Sequence, residues 1–140
     1  MAKDTNNKIL AIIYSDKNEF LLLKTNPKTM KIDSWYVVTG GVKENEDYEG
    51  AVKREIQEET NLEILKITPT NLFFDYEWPK DSGKIKHEKV FLVSVKHAIP
   101  KLSAWEHLDY KWLAKEEFID TIYWYEQDKS NLKELLSGLK

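Results

Sequence analysis

The chain has 140 residues, 21 of them basic and 24 acidic, for a formal net charge of −3, with 41% hydrophobic and 32% charged residues and no cysteine. That length and mixture predict one domain spanning residues 1–140 with a proper core, and the lack of cysteine excludes both a disulfide framework and thiolate chemistry. The weakly acidic balance argues against a long nucleic-acid polymer as partner, no apolar run approaches the length of a membrane span, and residues 1–8 lack the apolar core of a signal peptide. A cytoplasmic protein acting on a small ligand is the expectation, with a homodimer left open.

Lys8 to Tyr14 is apolar and β-branched with little polar alternation, which predicts a strand buried on both faces. A turn at Ser15 to Asn18 and a second strand at Glu19 to Lys24 predict a hairpin. Thr25 to Ser34, with Pro27 and two lysines, reads as a loop. Trp35 to Thr39 is a short strand delivering the chain to a glycine turn at Gly40-Gly41. A helix is predicted from near Asp47 to near Thr60, its start marked by Glu44, Glu46 and Asp47. Ile64 to Phe74 reads as a long strand broken at Pro69, and residues 71–95 as a hairpin whose turn is Pro79 to Lys84. Pro100 opens another loop that leads into Ala104 to Leu113, Ala114 to Thr121 reads as a short helix, and Ser130 to Leu136 as a helix with Leu132, Leu135, Leu136 and Leu139 on one side. Strands interleaved with a central and a terminal helix predict an α/β fold in which helices cover both faces of a mixed sheet.

The densest chemistry lies in residues 40–62, GGVKENEDYEGAVKREIQEETNL. Glu55, Glu58 and Glu59 stand at i, i+3 and i+4, on one helix face. Two full charges about 5–6 Å apart repel by roughly 3 kcal/mol at an effective dielectric near 20. An isolated EIQEE run is ordinarily a solvated face, but the spacing around this one is specific. From Gly40, five residues lead to Glu46, seven more to Arg54-Glu55, then come an apolar residue, Gln57, Glu58-Glu59, one residue, Asn61 and Leu62. This resembles the Nudix box: G, five residues, E, seven residues, R-E, apolar, any, E-E, any, G, apolar. Asn61 replaces the final glycine, and Asn is the usual second choice where a helix ends in a left-handed conformation. Outside the box, the entry WYVVTGG and the later Glu106-His107 pair ahead of Tyr110-Lys111-Trp112 are also similar to Nudix proteins acting on nucleoside triphosphates or dihydroneopterin triphosphate.

The resemblance implies an α/β/α sandwich with a central mixed β-sheet and a divalent-metal-dependent hydrolase that cleaves a nucleoside diphosphate linked to a further group. It makes Glu55, Glu58 and Glu59 ligands of Mg²⁺, or of Mn²⁺ in its place, with Gly40 and Gly41 letting backbone approach the metal or ligand. Hard carboxylate oxygens suit such ions. Glu46 and Arg54 are expected to brace loop and helix by charge pairing. Glu106 is a candidate base or ligand outside the box, His107 is expected to be structural, and His87 and His97 carry no motif. For phosphate contacts the candidates are Lys24, Lys28 and Lys31, or Lys80, Lys84 and Lys86; for stacking on a base they are Trp35, Phe74, Tyr76 and Trp78, all of which have commoner uses in solvated loops or core packing. The favoured substrate is a nucleoside triphosphate or a related small triphosphate, giving monophosphate and pyrophosphate. A dinucleoside polyphosphate, an RNA 5′ end and a non-catalytic nucleotide sensor are the alternatives.

Overall fold

The computed structural model describes residues 4–28, 33–77, 81–103, 106–124 and 128–139. Their elements are β1 (Asp4–Ser15), β2 (Phe20–Thr25), β3 (Trp35–Tyr36), β4 (Val38–Lys43), α1 (Tyr48–Glu59), β5 (Ile64–Glu77), β6 (Ile85–Val95), β7 (His107–Leu113), α2 (Lys115–Thr121) and α3 (Ser130–Ser137). None of the helices is long and apolar enough to cross a membrane.

β1 is the organising strand. It runs parallel to β6 from Asn7↔His87 to Ser15↔Val95, and antiparallel to β4 through Lys8↔Gly41, Ile9↔Gly40, Leu10↔Thr39 and Ala11↔Val38. β5 closes the far edge antiparallel to β6, so the sheet is mixed. Its unbroken apolar run follows from burial on both faces. Ile9, Ala11 and Ile13 point to the side where Ala51, Val52 and Ile56 of α1 pack. Leu10 and Ile12 point to the other, against Phe118, Ile119, Leu132 and Leu136 of α2 and α3 and against Trp124. Two cores, one on each sheet face, make the α/β/α sandwich that the sequence predicts.

The predicted hairpin of β1 and β2 is only partly present. The two strands meet at Tyr14↔Phe20 beside the turn, where Asn18 takes a left-handed conformation at φ 60°, and then part. β2 continues between β3 and β7, both antiparallel to it. With one side of β1 taken by β6 and the other by β4, no edge remains for β2 beyond the turn. The Trp35 strand is also broken, resuming after Val37 and carrying Gly40 and Gly41 inside β4 rather than in a turn. In β5 the register shifts between Pro69 and Phe73, where a residue without an N–H interrupts the ladder.

Candidate metal and pyrophosphate site

The helix that carries the carboxylates is fixed at both ends by its own residues. Asp47 caps its start, Oδ1 accepting from Gly50 N at 2.7 Å. At the other end Asn61 has φ 55°, and its N–H donates to Ile56 O at 3.1 Å, so asparagine fills the left-handed position expected of it. Between these stops Ala51, Val52 and Ile56 are held against the sheet, which turns Glu55 and Glu59, one helical turn apart, into the margin between α1 and the strands. They are 8% and 3% exposed, whereas the Glu58 side chain is 55% exposed at the rim.

Gly40 of β4 passes directly under Glu55. A Cβ there would lie 2.2 Å from Glu55 Cδ and 2.3 Å from Oε1, so the strand can come this close only without a side chain. Arg54 then ties the assembly together. Its Nε and Nη2 donate to the two oxygens of Glu46, both at 2.9 Å; Nη1 donates to Glu55 Oε1 at 2.7 Å and Nη2 to the Gly41 carbonyl at 2.7 Å. This is the bracing expected of Arg54 and Glu46. Hydrogen bonding to Arg54 holds the Glu46 carboxyl below the usual range. Glu55 goes the other way, to about 7, because burial outweighs the same guanidinium.

β7 brings in the second half of the site. Asn26 N donates to Glu106 O at 2.8 Å, Thr25 pairs in register with His107, and the N–H groups of Glu106 and His107 both donate to Ser103 O. Fixed in this way, Glu59, Glu106 and His107 place one ligand atom each within 4.8 Å of one another. Burial and hydrogen bonding to Glu59 push the Glu106 carboxyl up to about 7; burial raises Glu59 as well and lowers His107. His107 Nδ1 lies 2.9 Å from Glu59 Oε2, yet the two are not aligned as a hydrogen bond, and both atoms are buried with no hydrogen-bond partner among the described residues.

Of the other sequence candidates, Lys24 and Trp35 are opposite each other in register, one step from the His107 pair. Lys24 is ion-paired with Asp33, and one face of Trp35 is covered by Lys111, whose Nζ lies 4.5 Å from the ring centroid. Tyr76 lies on β5 and donates to Glu88 Oε2 at 3.2 Å. Phe74 packs edge-on against Trp124. Lys28 and Lys84 lie in exposed turns, and Lys86 Nζ donates to Asn6 Oδ1. Lys31, Trp78 and Lys80 lie outside the described residues. His87 pairs with Asp75, and His97 with Glu19. Two features escaped the sequence reading, the approach of His107 to Glu59 and the burial of Glu88 at 1% exposure. Only the Glu106-His107 pairing hinted at the first, and nothing local marks the second.

The donor set has the character of a hard-cation site. Glu59, Glu106 and His107 bring ligand atoms within 4.8 Å of one another, Glu55 and Glu59 are buried, Glu58 stands at the rim, and the Arg54 guanidinium is directed at Glu46, Glu55 and Gly41. A buried carboxylate oxygen without a partner is costly unless a cation or a proton meets it, and carboxylate oxygens suit hard divalent cations. A hollow of about 680 Å³ between β5 and α3 includes none of these groups.

A family profile described as NUDIX domain matches residues 5–136. The chain belongs to the Nudix family. Its members hydrolyse pyrophosphate bonds in nucleotide-like compounds, and this chain is a hydrolase of that class. It is 30% identical over 135 residues to a dihydroneopterin triphosphate diphosphatase of Haemophilus influenzae, covering 86% of this chain and 81% of that one. An 8-oxo-dGTP diphosphatase of Buchnera aphidicola is 38% identical over 61 residues, 44% of this chain, so the match spans under half (46%) of that relative's length. The fold superposes on the E. coli dihydroneopterin triphosphate pyrophosphohydrolase with a TM-score of 0.73 at 21% identity, over 98% of this chain and 99% of that one. An Ap4A hydrolase of C. elegans gives 0.70 at 26% identity, over 95% and 98%.

Proposed function

We propose that this Nudix domain, as one unit over residues 1–140, hydrolyses a small triphosphate, either a nucleoside triphosphate or a pterin triphosphate, to monophosphate and pyrophosphate. The observation that carries the reading is the meeting of Glu59, Glu106 and His107, whose ligand atoms lie within 4.8 Å of one another, in a margin where Glu55 and Glu59 are nearly inaccessible to water. Glu55, Glu58 and Glu59, with the Gly40 backbone carbonyl, would hold Mg²⁺ or Mn²⁺. When bound, that ion offsets phosphate charge and lowers the pKa of a coordinated water.

The chain's own groups divide the remaining work. Glu106, raised toward neutrality by burial and by Glu59, is suited to accept a proton from the attacking water. Arg54 acts through others, holding Glu55 and the Gly41 carbonyl in register with Glu46. Gly40 and Gly41 admit the phosphates to the backbone. Lys24 and Trp35 are assigned to the substrate because they lie one register step from His107, where a phosphate and a ring leaving the carboxylates would pass. Tyr76 is assigned to the organic end. Gly41, Lys8, Glu88 and Phe74 follow one another across the sheet, and Tyr76 donates to Glu88, so the sheet end between them offers a polar seat.

Incubation with nucleoside triphosphates, dihydroneopterin triphosphate, diadenosine polyphosphates and 5′-triphosphorylated RNA in Mg²⁺, with all products separated, tests this reading. Pyrophosphate with a monophosphate from one small triphosphate supports it. Turnover confined to RNA, as the name of a 29% identical Pelagibacter ubique RNA pyrophosphohydrolase suggests for that protein, would replace it. Tight nucleotide binding without turnover would mark a sensor.

A further inference from the structure

Glu59 Oε2 and His107 Nδ1 form an unusual contact for a folded interior. Both side chains are 3% exposed, the atoms lie 2.9 Å apart, neither has a hydrogen-bond partner among the described residues, and their mutual geometry is not that of a hydrogen bond. Two buried polar atoms that face each other without a hydrogen bond are normally disfavoured. A third donor, from Glu106, lies within 4.8 Å of both. The separation is informative, since two donors each about 2.1 Å from an octahedral ion and cis to one another are about 3 Å apart.

We infer that His107 Nδ1 is a ligand of the catalytic cation together with Glu59, with Glu106 standing beside the pair as the base. The site is then a mixed nitrogen and oxygen site. This inference rests on the metal-dependent reading above and deepens it by assigning a ligand outside the helix and a metal preference. An imidazole donor favours transition ions over Mg²⁺, so Mn²⁺ and Co²⁺ bind this protein more tightly, relative to Mg²⁺, than carboxylates alone would bind them. The backbone supports such a role. His107 N donates to Ser103 O and the residue is registered against Thr25, so the ring is carried by a strand end anchored on two sides.

Electron spin-echo spectroscopy of the Mn²⁺-loaded protein reads the ligand directly, with no turnover required. The expected spectrum shows a directly bound imidazole nitrogen, converts to the ¹⁵N pattern when histidine alone is ¹⁵N-labelled, and loses the coupling in His107→Gln. In that variant the ratio of Mg²⁺ to Mn²⁺ dissociation constants falls about tenfold, measured by competition. Stoichiometric Mn²⁺ binding without nitrogen coupling in the wild-type protein overturns the His107 assignment and leaves the carboxylate site standing. Failure to bind Mn²⁺ at all overturns both this inference and the metal-dependent function. The wild-type spectrum with labelled histidine decides the matter even if His107→Gln does not fold.

Discussion

Gly40 and Glu55 occupy one another's space: a single methyl group on Gly40 would sit 2.2 Å from the Glu55 carboxyl carbon. The nearest obstacle is the end of a side chain, so the backbone survives a substitution by moving Glu55 aside. Gly40→Ala is therefore expected to lower kcat/KM by on the order of 10²-fold while costing stability by no more than about 1 kcal/mol. Paired kinetics and thermal melts check this, and unchanged kinetics would show that the position of Glu55 does not matter.

Arg54 makes four charge-assisted hydrogen bonds, to Glu46 twice, to Glu55 and to Gly41 O. Arg54→Ala leaves two carboxylates without their donor and is expected to cost about 2 kcal/mol of stability as well as most of the activity. Arg54→Lys restores the charge without the planar fork, so recovery should be partial. Denaturant unfolding separates this from a purely kinetic role, which would leave the midpoint unmoved.

Glu59→Gln and Glu58→Gln should differ before any metal is added. Glu59 is buried among Glu55, Glu58 and Glu106, so its neutralisation relieves repulsion and raises metal-free stability by about 1 kcal/mol, whereas exposed Glu58 gains little. Both variants should lose activity by orders of magnitude, roughly 10² or more. Full activity in both would remove these residues from the mechanism.

Stability of the metal-free protein should also follow the raised carboxyls. Glu55 and Glu106 reach about 7 when folded, against a usual 4.5, so the folded state holds protons that the unfolded state has released. Their contribution is fully present below about pH 4.5 and is lost as pH rises to 7. Mg²⁺ competes with those protons, so the rise in Tm on adding it should be larger at pH 8 than at pH 5.5. Melts in chelator and in Mg²⁺ across this range test the sign, and an equal rise at both values would contradict it.

The parts of this molecule that sequence discloses are those written in local chemistry. The helix stops at Asp47 and Asn61, the two-faced burial of β1 and the bracing of Glu46 by Arg54 all follow from residues close together in the chain. What sequence leaves open is partnership. An apolar run marks Glu19 to Lys24 as a strand but does not say that β7, nearly ninety residues on, rather than β1 is its long neighbour. Gly40-Gly41 reads as a turn because glycine is at home there, and only Glu55 overhead explains its place inside a strand. The same gap hid the meeting of His107 with Glu59, since no spacing rule links β7 to α1.

The most direct measurement is a Mg²⁺ titration of triphosphate hydrolysis by wild-type and Glu59→Gln proteins, with monophosphate, diphosphate, phosphate and pyrophosphate resolved at each point. Saturable, metal-dependent release of monophosphate and pyrophosphate by the wild type, lost in a variant that still melts cooperatively, is the predicted result. Metal-independent turnover, or equal turnover by the variant, would contradict a reaction built on these buried carboxylates.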